Sequence, residues 1–263
     1  MTQYGREIAA HLSQPRENWQ VLDTVDSTNL ICKRMAMQDA PDGSIVIADA
    51  QTAGRGRLGR SFQSARGHGL YLSVLWRAEG AAQRWMILPA LAAVAASRAV
   101  ERSAGLQVQI KWPNDLVLGD KKVGGILTES ILLGSGMAVV LGIGINVTQR
   151  KEDFEGEVAD IAASLEMLAG RAVSRPALAA ALMEQLHELR CCAMEQPELW
   201  LEEYRSRCLT VGREVRVITP QGEKTARALA VEQDYGLTVC YEDGSVETVR
   251  AGEVSVRGLY GYV

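Results

Sequence analysis

Val108-Gln109-Ile110-Lys111-Trp112-Pro113-Asn114-Asp115-Leu116-Val117-Leu118-Gly119-Asp120-Lys121-Lys122-Val123-Gly124-Gly125-Ile126-Leu127-Thr128-Glu129-Ser130 is the stretch that decides the fold class. Apolar and β-branched residues recur through it, and Gly119-Asp120 offers a hairpin turn. Pro113 lacks the N–H that a central strand needs, so the first strand lies at an edge or carries a bulge. Gly134-Ser135-Gly136 turns the chain again, and Met137–Val147 returns as a third strand with glycines at 142 and 144. Two hairpins in succession, with no helix between them, predict an antiparallel or mixed sheet rather than βαβ winding.

Working outward, Ser44–Ala50 reads as a buried strand and Gly69–Arg77 as an alternating one. Asp26-Ser27-Thr28-Asn29 precedes Leu30, Ile31, Met35 and Met37, so Asp26 or Ser27 caps a helix of about three turns. Helix starts also bind polar ligand groups, but the local sequence favours capping as the role of Ser27 and Thr28. Residues 81–104 are alanine-rich with one broad apolar face, a long helix that Pro89 should kink or split. Residues 1–20 are short and mixed. Downstream, 159–169 predicts a short helix ending at Gly170. Ser174-Arg175-Pro176 opens a helix to about residue 194, and Pro197 opens another to about 207. From Val211 the character changes to short strands, Glu214–Thr219, Thr225–Val231, Leu237–Tyr241 and Val246–Arg250, with Gly222, Gly236 and Gly244 at the turns. That is a small all-β barrel of about fifty residues, too small to be comfortable alone and expected to pack on the rest. The expected domains are 1–210 and 211–263.

Composition narrows the function classes. Of 263 residues, 47% are hydrophobic, and the net charge is −4, so no general attraction to nucleic acid or membrane is expected and any anion site must be local. Five cysteines with no C-x-x-C pair, and three histidines far apart in sequence, give no zinc pattern and no disulfide framework. The start, Met1-Thr2-Gln3-Tyr4-Gly5-Arg6-Glu7, is not signal-like, so a cytoplasmic location is expected. No apolar run reaches the roughly 18 residues that span a bilayer.

The local anion site is expected at Gln51-Thr52-Ala53-Gly54-Arg55-Gly56-Arg57-Leu58-Gly59-Arg60, directly after a strand. Glycine lets backbone approach a ligand, and arginine brings fixed charge and a planar fork of donors suited to phosphate or carboxylate. The run alone is equally a solvated basic loop. Its letters fit G-x-G-x-x-G, but no helix opens at Gly59, so it is not a dinucleotide fingerprint. Lys111, Asn114, Asp115, Lys122 and Asn146 form a second cluster, polar residues within apolar strands. A single Lys122 would read as a solvated hairpin residue. The cluster instead suits a ligand carboxylate on the lysine, and Mg²⁺ with phosphates on the oxygens of Asn114, Asp115 or Asn146.

Together these stretches resemble the bacterial biotin protein ligases. The resemblance rests on Ser27-Thr28-Asn29, Gln51–Arg60, Leu70-Tyr71-Leu72-Ser73, Lys111-Trp112-Pro113-Asn114-Asp115, Lys122-Val123-Gly124-Gly125-Ile126-Leu127, Gly142-Ile143-Gly144-Ile145-Asn146 and Gly252-Glu253-Val254-Ser255-Val256-Arg257, in the family's order. It implies an α+β fold: a class II synthetase-like catalytic domain with a mixed, largely antiparallel sheet, then a small SH3-like β-barrel. It implies an ATP-dependent ligase that forms biotinyl-5′-AMP and transfers biotin to a lysine of a biotin carboxyl carrier protein, with Mg²⁺ as activator. By the family pattern Arg55, Arg57, Lys122 and Asp115 would be catalytic. Ser27, Thr28, Asn29, Gln51, Gly54, Arg55, Gly56, Arg57, Lys122, Gly124, Gly125 and Gly142 would hold biotin. Arg57, Arg60, Lys111, Asn114, Asn146, Glu253 and Arg257 would meet the nucleotide, and Asn114, Asp115 and Asn146 the metal. Only about twenty residues precede the first shared motif, too few for the helix-turn-helix of some members, so no DNA binding is expected. A monomer and a homodimer both fit the family. The competing readings are a lipoate-type acyl-adenylate ligase and a biotin-sensing regulator without catalysis.

Overall fold

The computed structural model describes residues 1–78, 85–134, 136–156, 158–193, 195–219, 222–250, 255–258 and 262. The elements run α1 (Gln3–His11), β1 (Trp19–Val25), α2 (Thr28–Met37), β2 (Ser44–Gln51), β3 (Gly69–Ala78), α3 (Leu88–Ala104), β4 (Gln109–Lys111), β5 (Asp115–Leu118), β6 (Lys121–Leu133) and β7 (Gly136–Asn146). They continue with α4 (Val158–Ile161), α5 (Leu165–Ala169), α6 (Arg175–Glu188), α7 (Pro197–Arg207), β8 (Glu214–Thr219), β9 (Gly222–Val231), β10 (Leu237–Tyr241), β11 (Val246–Val249) and β12 (Ser255–Gly258). The first seven strands form one sheet in the order β1-β2-β3-β7-β6-β5-β4, and the last five a second in the order β11-β10-β9-β8-β12. β1 is parallel to β2, and every other described pairing between strands of the two sheets is antiparallel. The fold is therefore α+β, with the mixed, largely antiparallel sheet that the 108–147 hairpins predict.

Alternation of side chains along a strand gives the large sheet two different faces. Val139, Leu141, Ile143 and Ile145 of β7 join the main core with Leu88, Leu91 and Val94 of α3 and Leu178 and Leu182 of α6. The alternate residues Ala138 and Val140 pack with Cys32 and Ala36 of α2. Past Val140 the α2 side of β7 continues as Gly142, which packs against Asn29 at the start of α2, and then Gly144 and Asn146, which line the cavity. The main core also takes in Val215, Val217 and Leu237 of the second sheet and Tyr235 of its β9–β10 turn, so the two sheets are packed on one another.

Three expectations are corrected and a fourth, the helix from Arg175 to about 194, is refined. Pro89 lies in the first turn of α3 and starts the helix, where its missing N–H is no loss; the expected start at 81–84 lies outside the described residues. The helix expected at 159–169 is two, α4 and α5, broken where the Ser164 hydroxyl accepts from Met167 N–H. Residues 1–20 hold α1 and the start of β1. β1 escaped notice because only Val25 of its residues is buried. The helix from Arg175 ends its α-turns at Glu188 and passes into a wider π-turn over Leu189–Ala193. Of the Gly134-Ser135-Gly136 turn, Ser135 lies outside the described residues. Pro113 does mark an edge: β4 is the last strand of its sheet, and the Trp112–Pro113 bond is cis.

Candidate active site

Strand register builds the floor of the site. Tyr71 of β3 lies opposite Gly144 of β7, Gly144 opposite Gly125 of β6, and Gly125 opposite Asp115 of β5. One step along, Ser73 is opposite Gly142 and Gly142 opposite Leu127. Directly opposed residues share a face. A cavity of about 710 Å³ opens on this face. Its walls come from the start of α2, the arginine loop, the Lys111–Asp115 turn and, from the second sheet and the chain beyond it, Arg216, Val256 and Tyr262.

The floor glycines make room for named side chains. A Cβ at Gly142 would collide with the Asn29 amide, and one at Gly144 would come within 2.7 Å of the Phe62 ring. Phe62 also sits edge-on to Tyr71, with ring centroids 6.3 Å apart. Gly125 is less crowded, and a Cβ there would sit 3.4 Å from Asp115 Oδ1 and 3.6 Å from Lys122 Nζ.

One end of the cavity is a net of neutral polar groups at the start of α2. Ser27 is the N-cap residue but makes no cap bond, which corrects the capping expectation; its N–H donates to Asp26 Oδ1 at 2.6 Å. The Thr28 N–H and hydroxyl both donate to Gln51 Oε1, at 2.9 and 3.1 Å, and Gln51 donates to Ser64. Ser73 Oγ donates to Asn29 Oδ1 at 2.6 Å and lies 2.7 Å from Thr28 Oγ1. Asn29, 3% exposed, donates in turn to Glu129 at 2.8 Å. Glu129 also pairs with Lys33 at 2.6 Å and with Arg55 at 3.5 Å. Burial works to raise the Glu129 pKa, but the bonds from Lys33 and Asn29 and the charges of Lys33 and Arg55 win and hold it below the usual carboxylate range.

The other end is charged. Lys122 Nζ lies 2.5 Å from Asp115 Oδ1, and the Tyr262 hydroxyl donates to Asp115 Oδ2 at 2.5 Å. Lys111, buried to 6% exposure, donates to the Tyr262 carbonyl and rides 3.7 Å above its ring centroid. Arg57 donates to Asn114 Oδ1 at 3.0 Å, and Asn114 Nδ2 to the Ile126 carbonyl at 2.7 Å. Burial works to raise the Asp115 pKa; Lys122, Tyr262 and Lys111 together overcome it and leave the carboxyl below its ordinary value. Burial lowers the Arg57 pKa against the opposing pull of Asp115, and a guanidinium starts so high that it stays charged.

Fifteen of the expected residues line this one cavity: Ser27, Thr28, Asn29, Gln51, Arg55, Gly56, Arg57, Arg60, Lys111, Asn114, Asp115, Lys122, Gly125, Gly142 and Asn146. Gly124 does not. It falls on the opposite face, where a Cβ would meet the Leu116 side chain and the Gly144 carbonyl. Gly54 is packed beneath Phe62, Ser64 and Gln51 instead of lining the cavity. Glu253 lies outside the described residues. Arg257 lies on β12, and its side chain is outside what is described. The sequence reading missed Glu129, Phe62 and Tyr262. Glu129 was within reach, being two places beyond Leu127 on the same strand face, whereas nothing local marks the other two.

Among the described residues no group of three or more His, Cys, Asp or Glu is placed to hold a metal ion. The Asn114 amide oxygen is taken by Arg57 and that of Asn146 by Gln149 at 3.3 Å. No helix among the described residues is long and apolar enough to cross a membrane.

The α+β frame thus holds a polar pocket beside a cluster of cations, with the arginine loop as one wall. Residues 21–146 match the biotin/lipoate A/B protein ligase family. The chain is 33% identical over 259 residues to the biotin–[acetyl-CoA-carboxylase] ligase of Mycobacterium tuberculosis, covering 95% of this chain and 94% of that one. It is 34% identical over 227 residues to the bifunctional ligase/repressor BirA of Bacillus spizizenii, covering 84% of this chain and 69% of that protein. The biotin protein ligase from Aquifex aeolicus in complex with biotin and ATP superposes with a TM-score of 0.77 at 30% identity, over 92% of this chain and 100% of that one. The chain belongs to the biotin protein ligase family. It is an enzyme of the biotin–[carboxyl-carrier protein] ligase class.

Proposed function

We propose that the cavity carries out both halves of protein biotinylation in one place. In the first half a biotin carboxylate oxygen attacks the α-phosphorus of ATP, the bond to the bridging oxygen breaks, and pyrophosphate leaves. In the second half a lysine amine of a carrier protein attacks the acyl carbon of biotinyl-5′-AMP, AMP leaves, and the amine gives up a proton. The observation that carries this reading is one continuous cavity with neutral hydrogen-bonding groups at one end and Arg57, Arg60, Lys111 and Lys122 at the other.

Ser27, Thr28, Asn29 and Gln51 hold the uncharged ring system, whose amide-like N–H and C=O groups need neutral partners. Lys122 takes the carboxylate with a free donor of its ammonium while it stays paired with Asp115. Arg55 and Arg57 clamp the intermediate, and Arg60, Lys111, Asn114 and Asn146 face the nucleotide. Joining two anions demands such neutralisation, and little covalent work falls to the protein. The arginine loop shields the mixed anhydride from water. The side-chain oxygens of Asn114, Asp115 and Asn146 are already engaged by Arg57, by Lys122 and Tyr262, and by Gln149, so a Mg²⁺ ion would be held by the substrate phosphates. When bound, such an ion neutralises phosphate charge. Residues 1–210 act as the catalytic domain and 211–263 as a C-terminal domain that contributes to the cavity rim, in a cytoplasmic protein.

The test is ATP–pyrophosphate exchange with biotin or lipoate as the acid. Exchange with biotin alone supports the proposal. Exchange with lipoate, or with neither, overturns it.

A further inference from the structure

Tyr262 stands at the far end of the chain from every other group in the charged half of the cavity, yet it touches two of them. Its hydroxyl donates to Asp115 Oδ2 at 2.5 Å, while the other oxygen of the same carboxylate faces Lys122 Nζ at 2.5 Å. Its carbonyl accepts from Lys111, whose ammonium lies 3.7 Å from the ring centroid. The phenol is mostly buried, and burial together with the Asp115 charge drives its pKa far upward, so the group stays a donor at any working pH.

A carboxylate has two oxygens and can rotate about its terminal torsion, which is broad for aspartate. With one oxygen tied by a hydroxyl of fixed position, the other keeps a fixed direction. Gly125, directly across the strand pair from Asp115, lies beside the Asp115–Lys122 pair, where a Cβ would sit 3.4 Å from Asp115 Oδ1 and 3.6 Å from Lys122 Nζ. We infer that Tyr262 is a positioning residue of the adenylation site: it fixes Asp115 so that Asp115 holds Lys122 aimed at the reacting carboxylate. The C-terminal part of the chain thereby takes part in the first chemical half-reaction and does more than cover the cavity. The inference rests on the roles proposed for Lys122 and Asp115.

The experiment is biotin-dependent ATP–pyrophosphate exchange on the full chain, comparing native protein, Tyr262→Phe, Asp115→Asn and the double variant, each checked by thermal melting. Tyr262→Phe keeps the ring and the carbonyl contact with Lys111 and removes only the bond to Asp115. The expected result is a fall in kcat of about tenfold, of the size a hydrogen bond to a charged group gives, with little change in the KM for ATP and an unchanged melt. In the Asp115→Asn background the same change should cost nothing further, because residues acting as one unit are not additive. A full additive loss in the double variant, or an undiminished kcat in Tyr262→Phe, overturns the inference and leaves the ligase reading standing. A lowered KM for ATP also overturns it, by showing that the tyrosine obstructs the nucleotide. If the native protein gives no biotin-dependent exchange, the ligase reading itself fails, and the inference with it.

Discussion

Arg57 Nη1 donates to Asn114 Oδ1 at 3.0 Å, across 57 residues of sequence. The bond fastens the arginine loop to the Lys111–Asp115 turn, so the two most distinctive stretches of the chain meet in one place. Asn114 in turn is fixed to the Ile126 carbonyl of β6. The loop is thus held against the cavity by a residue that is itself anchored to the sheet.

Replacing Arg57 with glycine should remove both the latch and one of the cations facing the intermediate. Loss of one preorganised charged donor typically slows a step about 10²–10³-fold. The expected outcome is faster escape of biotinyl-5′-AMP, seen as free adenylate in solution by chromatography, with an unchanged melting temperature. Retention equal to that of the native protein would remove Arg57 from the site.

Ser27→Ala separates binding from capping. A functioning cap is worth about 1 kcal/mol, but Ser27 makes no cap bond. Thermal melting should therefore stay the same while biotin affinity, measured by calorimetry, falls. A clear drop in stability with unaltered affinity would reverse the assignment.

Gly142→Ala places a methyl group against the Asn29 amide, which is itself tied to Ser73 and Glu129. Because those partners hold it, Asn29 has nowhere to move. Overpacking of this kind costs about 1–3 kcal/mol, and the polar pocket should distort with it. Denaturant unfolding should report the destabilisation and calorimetry a loss of biotin binding.

How far these elements could be read in advance depended on whether the signal was local. The hairpins of 108–147 announce themselves because turn glycines and β-branched runs are adjacent in sequence. The fifteen expected residues that line the cavity lie in short motifs, and most were expected there from the family resemblance, since the local sequence of Ser27 and Thr28 reads as capping. Gly124 was misplaced because adjacent strand residues point to opposite faces, and the Gly124-Gly125 pair gives no clue to the register. Phe62 and Tyr262 were missed because what matters about them is a contact with Gly144 or Asp115, and no nearby residue encodes it. β1 is a half-exposed edge with polar residues and lacks the apolar run that betrays β2.

Acid should weaken the native state partly through Asp115. Its folded pKa lies below the ordinary carboxylate value, since Lys122, Tyr262 and Lys111 outweigh the burial that opposes them. A carboxyl with a depressed folded pKa binds fewer protons when native, so the stability it contributes is present above the unfolded pKa of about 3.9 and is lost as pH falls through the lower folded value. In urea unfolding, the stability advantage of native protein over Asp115→Asn should grow as pH rises through the window below and around 4. Parallel pH profiles for the two would contradict the charge pairing.

The central claim is that this cavity charges biotin and passes it to protein. Its most direct test is intact-protein mass spectrometry of a purified biotin carrier domain after incubation with this enzyme, biotin, ATP and Mg²⁺. A mass gain of one biotin on one lysine, absent without ATP and absent with Lys122→Ala, is the predicted result. An unmodified carrier beside a protein that still binds biotin tightly would contradict the claim and leave a biotin-binding protein without transfer activity.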